Sequence, residues 1–259
     1  MKKGTEMKPL SLVLLSSLAV MALPAVAAAH DNQVSITKSN GQICIRTNGL
    51  PNHSTGSFPN RGNPHSIRAQ RATYCVTQNP RKSANARWHR GTIGVALNGV
   101  AIRPGTADYW DANSPRGHSR DRSSGWNLEG IGAARMLGMD RNNAHVDRRG
   151  LYHYHGVPTG YLKSAKSSLV GYAADGFEIH YLGTKVKSGW TLRKGTRSSG
   201  PGGHYDGTYN EDWQYTGGAG TLDQCNGGTL DGKYVYFATT TYPFYPRCLW
   251  GRASADFRR

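Results

Sequence analysis

Apolar and polar residues alternate with a period of two over short runs along most of this chain, which is the pattern of half-buried strands. Val34-Ser35-Ile36-Thr37 and Ile43-Cys44-Ile45-Arg46 alternate on either side of Ser39-Asn40-Gly41, predicting a hairpin closed by an Asn-Gly turn. Residues 48 to 70 are rich in Asn, Pro, Gly and His and have no period, so they read as a long connection before a short strand within Arg71 to Val76. Gly94 to Ile102 reads as strand, Asn-Gly turn and strand, apolar enough to be buried. Gly171 to His180 follows the same plan around Asp175-Gly176, which makes Asp175 a turn residue before a catalytic one. Helical spacing is confined to Asn127 to Leu137, with Leu128, Ile131, Ala134 and Leu137 on one side, Glu129 near the amino end and Gly138 as a stop. The expected fold is mainly β, with antiparallel hairpins in a sandwich- or barrel-like domain and one short helix near 127–137.

The start of the chain changes the picture of where this fold works. Lys2, Lys3 and Lys8 precede an apolar run from Leu10 to Leu23 that ends in small residues, so residues 1–29 read as a secretory signal peptide. No later segment approaches the roughly 20 apolar residues of a membrane span. The expected address is periplasmic or extracellular, with no transmembrane segment in the mature chain. Cleavage near Ala29 would place His30 at or near a new amino terminus, where it could chelate copper. Four cysteines, Cys44, Cys75, Cys225 and Cys248, suit an oxidising compartment, and the two local pairings, Cys44 with Cys75 and Cys225 with Cys248, are the expected disulfides. Residues 30–89 are expected to form a basic amino-terminal β and loop segment, 90–251 the main domain, and 252–259 a tail.

Charge adds a partner class. The formal net charge is +16, and removing Lys2, Lys3, Lys8 and Glu6 leaves Lys+Arg 29 against Asp+Glu 15. Such an excess favours something acidic, and in an exported protein without a nucleic-acid module that is an anionic envelope polymer or a membrane surface, with no nucleic acid expected.

Candidate chemistry centres on Asp147 to Pro158, DRRGLYHYHGVP. In an extended strand His153 and His155 share one face while Tyr152 and Tyr154 share the other. If the segment before the Asp147-Arg148-Arg149-Gly150 turn is also extended, His145 and Asp147 share a face and the turn folds the two pairs together. Imidazoles at this spacing suit a transition metal. Glu178 and His180 share a strand face of their own. The candidate metal ligands are therefore His153, His155, His145 and His180, with Asp147 and Glu178 as candidate bases.

These motifs, taken with GVALNGVAIRPGTADYW from Gly94, the segment Gly171 to Ile179, Asp223-Gln224-Cys225-Asn226-Gly227 and a final Tyr-rich strand into Cys248, resemble the YHYH-domain family over about residues 90 to 251. The family consists mostly of exported proteins, and the resemblance implies no established activity. The chain also carries an internal echo. Leu230-Asp231-Gly232-Lys233-Tyr234-Val235-Tyr236-Phe237 repeats the turn and the alternating tyrosines, with Val235 and Phe237 where the first copy has His153 and His155. If the tyrosines are scaffold, the histidines are the part free to vary.

Three functions compete on this reading. The favoured one is a divalent transition-metal-binding module of the cell envelope or extracellular space, holding Zn or Cu. The second is a metal-assisted hydrolase. The third is a metal-free protein that binds anionic envelope or carbohydrate polymer. The chain has no H-E-x-x-H, no G-x-S-x-G and no phosphate loop, so none of the common hydrolase signatures assigns an activity.

Overall fold

A computed structural model describes Met1 and residues 31–258. The expected signal segment from residue 2 onward and His30 lie outside the described residues.

The amino-terminal alternation folds as read. Val34–Ser39 pairs antiparallel with Gln42–Thr47 across Asn40 and Gly41, both at positive φ, and Gln42–Thr47 pairs in turn with Ala72–Thr77. Ile43, Ile45, Tyr74 and Val76 point into the core, and Cys44 lies directly opposite Cys75, to which it is disulfide-bonded. The second disulfide joins Cys225 to Cys248.

A second, eight-stranded sheet carries the rest. Its order is Gly227–Leu230, Lys233–Ala238, Glu178–Tyr181, Leu169–Ala173, Gly94–Ala96, Ala101–Ile102, Tyr152–Tyr154 and Ala144–Val146. Its hairpins are antiparallel, but Tyr152–Tyr154 runs parallel to Ala101–Ile102, and Lys233–Ala238 runs parallel to Glu178–Tyr181. The two sheets share one core, in which Ile43, Ile45, Tyr74 and Val76 join Tyr152, Tyr154, Tyr172 and Tyr236. The fold is therefore mainly β and sandwich-like, with no closed barrel among the described residues.

This sheet is two copies of one half. At its centre Gly171 pairs with Ala96, Tyr172 with Val95 and Ala173 with Gly94, a symmetric register about the Val95/Tyr172 pair. The backbones close tightly there: a Cβ on Gly171 would lie 2.1 Å from the Val95 carbonyl oxygen, so a side chain would force the central strands apart. Outward from that centre, GVALNGVAI at 94–102 matches GYAADGFEI at 171–179, and Ile102 opposite Tyr154 matches Ile179 opposite Tyr236. The hydrogen bonds repeat as well. Asn98 Nδ2 donates to the Tyr154 hydroxyl at 2.9 Å, as the Tyr236 hydroxyl donates to Asp175 at 2.8 Å. The Tyr152 hydroxyl donates to Asp140 and that of Tyr234 to Asp223, each at 2.8 Å. The sequence echo is thus a structural repeat.

The helix expected near 127–137 is corrected to a series of turns. Asn127 and Leu128 are drawn into bridges with Tyr109 and Tyr209, and the amides of Leu128 and Glu129 bond to Asp108 and Thr208. The Glu129 carboxylate takes the next amides, of Ile131 and Gly132. What remains mixes i to i+4, i+3 and i+5 bonds, so no regular helix propagates, although Leu128, Ala133 and Leu137 are still buried together. The short α-helix among the described residues is instead Thr159–Leu162. No helix among the described residues is long and apolar enough to cross a membrane.

Candidate metal centre

The hairpin of Ala144–Val146 and Tyr152–Tyr154 is closed by the Asp147 turn, whose carboxylate accepts the amides of Arg149 and Leu151. Register then places His145 directly opposite His153. His155 follows the strand, fixed by its own amide donating to the Asn143 carbonyl at 2.7 Å. Alternation sends Tyr152 and Tyr154 into the core and the histidines to the other face, where the three ring centroids stand 4.7 to 4.8 Å apart. One ligating nitrogen from each lies within 4.8 Å of the others.

Each ring is oriented by a backbone carbonyl. His145 Nδ1 lies 2.9 Å from the Leu137 oxygen, His153 Nδ1 3.0 Å from that of Leu151 and His155 Nδ1 3.2 Å from that of Pro104. A carbonyl only accepts, so each Nδ1 carries the proton and each Nε2 keeps its lone pair, the arrangement that presents Nε2 to a metal. The Nε2 of His155 is buried without a hydrogen-bond partner among the described residues. Gly130 packs so closely over this ring that a Cβ would lie 2.5 Å from Nδ1.

Burial depresses all three basicities. His153 is held well below the usual imidazole range, first by desolvation and then by Arg103 and the neighbouring imidazoles; His155 is held down by desolvation and His145. His145 is lowered mainly by burial, partly offset by its bond to Leu137 and by Asp108. All three are neutral at pH 7. The sign of the pH dependence follows, because the unfolded imidazoles take up protons below about pH 6.5 while the folded ones do not. Stability held above that pH is therefore lost as pH falls toward the depressed folded values. In chelator, the stability advantage of the parent over His153→Ala/His155→Ala is expected to shrink between pH 7 and pH 5, as read by urea unfolding. A constant difference would contradict it.

The trio lines a cavity of about 720 Å³. Five arginines, Arg103, Arg116, Arg120, Arg148 and Arg149, line it too, with Asp108 and His118. His118, buried, has its Nδ1 3.4 Å from Asp108 Oδ1 across the short Tyr109–Trp110 and His118–Ser119 strands. Asp147 lines the cavity but is engaged with Arg103 at 3.0 Å. Burial acts to raise its carboxyl, yet the amides of Leu151 and Arg149 and the Arg103 guanidinium hold it below the usual range.

His180 and Glu178 lie elsewhere. Their strand is separated from Tyr152–Tyr154 by three others, roughly 19 Å at the usual spacing of about 4.8 Å. There His180 Nε2 bonds to Glu178 at 2.8 Å and Nδ1 to Ser168 at 3.0 Å, a self-contained pair.

The second half of the sheet is an internal comparison. Its register puts Gly228, Val235 and Phe237 where the first half has His145, His153 and His155. Val235 and Phe237 form a small apolar cluster with Leu222. The same backbone therefore builds a histidine-lined cavity in one copy and an apolar plug in the other.

Sequence reasoning did not single out Asp108, His118 or Arg103: the first two meet across a hairpin of two-residue strands, too short to show alternation, and Arg103 reaches Asp147 from a distant strand. It also read residues 48–70 as a connection, whereas that segment holds the site in place. Asn63 Nδ2 donates to the Val146 carbonyl, the Arg68 amide to that of Gly150, and His53 Nε2 lies 2.7 Å from the Tyr154 hydroxyl.

A family model described as YHYH protein matches residues 73–251. No curated protein and no solved structure matches the chain.

Proposed function

Because the chain belongs to the YHYH protein family, and its tetrapeptide supplies two of three converging imidazoles, we propose that it is an exported protein whose His145, His153 and His155 bind one divalent transition metal, zinc or copper. The observation that carries this reading is the clustering of three imidazoles, one ligating nitrogen of each within 4.8 Å of the others, with every Nδ1 committed to a backbone carbonyl. The donor set is imidazole throughout, which suits Zn or Cu and disfavours Ca or Mg. Three protein ligands leave a position for water or substrate, as in catalytic rather than structural zinc sites. Two disulfides agree with an oxidising, periplasmic or extracellular address.

The test is the metal content of mature protein purified without chelator or affinity tag. About one equivalent is expected in the parent and none in His153→Ala/His155→Ala or in His145→Gln, a partly exposed position whose substitution spares the core. Metal retained in these variants would move the site to another part of the chain. A folded parent that takes up neither Zn(II) nor Cu(II) would overturn the proposal.

A further inference from the structure

The charge of the cavity bears on what a metal held there would meet. Arg116, Arg120, Arg148 and Arg149 line the cavity, stand exposed and make no ion pair among the described residues. Its two carboxylates are already engaged, Asp147 by Arg103 and Asp108 by His118. A metal held there would add positive charge to a cavity already lined by unpaired guanidiniums, which repels cations and attracts a multiply charged oxyanion. His118 adds the remaining element. It is buried, it lines the same cavity outside the trio, and with Nδ1 held by Asp108 it has Nε2 left for a ligand.

Resting on the metal reading above, we infer that this cavity hydrolyses phosphate monoesters, with Arg116, Arg120 and Arg148 holding the phosphoryl oxygens and His118, positioned by Asp108, protonating the leaving group. Water attacks phosphorus, and a metal held by His145, His153 and His155 would activate that water. Its oxygen forms the new P–O bond, the ester P–O bond breaks, and the electron pair leaves on the alcohol oxygen. That oxygen takes a proton from the protonated His118, and the proton released by the attacking water restores it. The sum is ester plus water giving alcohol plus inorganic phosphate. The dianionic monoester is preferred over a diester or a sulfate ester because it places most charge against the three guanidiniums.

The experiment uses the full mature chain loaded with Zn(II), with metal content measured on every preparation. Binding of inorganic phosphate is followed by calorimetry, and turnover is followed on p-nitrophenyl phosphate and on an alkyl phosphate, with p-nitrophenyl sulfate and bis(p-nitrophenyl) phosphate as comparison arms. Arg116→Gln/Arg120→Gln, at exposed positions, is expected to weaken phosphate binding about tenfold or more. His118→Gln is expected to lower alkyl phosphate turnover by about 10²–10³-fold, with a much smaller loss on the p-nitrophenyl ester, whose leaving group needs no proton. Asp108→Asn, which keeps the cavity's shape, should shift the same ratio in the same direction. Equal losses on both esters would remove His118 as the proton donor. Metal-loaded protein that neither binds phosphate nor turns over the monoester would overturn this inference and leave the metal reading standing. Preference for the sulfate or the diester would overturn the choice of substrate. Protein without metal would overturn the metal reading and this inference with it.

Discussion

Glu129→Ala is expected to destabilise the fold by about 3–5 kcal/mol, the usual cost of removing one partner from a buried ion pair. Glu129 is 1% exposed and Arg247 6%, and their closest atoms lie 2.5 Å apart. The other carboxylate oxygen accepts the Ile131 and Gly132 amides at 2.7 Å each. Alanine would leave two amides without those acceptors and a guanidinium with Asn210, the Pro243 carbonyl and the Tyr242 ring but no carboxylate. For a domain of this size the loss corresponds to about 6–20 °C in Tm. The damage should reach the histidines, because the same turns place Gly130 on His155 and the Leu137 carbonyl on His145. Urea unfolding of Glu129→Ala, Arg247→Met and the pair Glu129→Gln/Arg247→Met would check it. The double variant should recover part of the single losses, since it strands no charge. A loss under about 1 kcal/mol in both single variants would show that the pair contributes little.

Glu129 also shows where sequence reading reached its limit. Its place near the amino end of an apolar period was legible, and its carboxylate does accept amides of that segment, but the helix whose dipole it would have suited does not form. Leu128 is held by Asp108 and Tyr209 instead, long-range contacts that no local period encodes. Hairpins were read well because each is closed by neighbours in sequence, Asn40-Gly41, Asn98-Gly99 and Asp175-Gly176. Alternation alone paired His153 with His155, and the Asp147 turn added His145. His180 satisfied the same local rule on its own strand, and only strand order, which alternation does not specify, separates it from the trio. The echo at Tyr234 and Tyr236 was visible as a pattern, whereas its meaning required the register about Val95 and Tyr172.

That repeat bears on why a metal should stabilise one half of the sheet. Gly228, Val235 and Phe237 fill with apolar contacts the position that the first half leaves to three neutral imidazoles, those of His153 and His155 buried and that of His145 partly exposed. The first half gives up that packing and keeps His155 Nε2 buried without a partner among the described residues, a desolvation cost that a bound ion would offset. Zn(II) added to chelator-stripped protein at about a thousand times its Kd is therefore expected to raise stability by about 4 kcal/mol. For a chain of this length that is about 8–16 °C in Tm. Little ordering opposes binding, because the three rings are already set by Leu137, Leu151 and Pro104. Differential scanning calorimetry with Zn(II), Cu(II) and Mg(II) would measure it. A large shift with Zn(II) or Cu(II), none with Mg(II), and its loss in His145→Gln are the expected results. An equal shift in His145→Gln would place the ion elsewhere in the chain, and no shift with either transition metal would mean that the trio's burial cost is carried by packing alone.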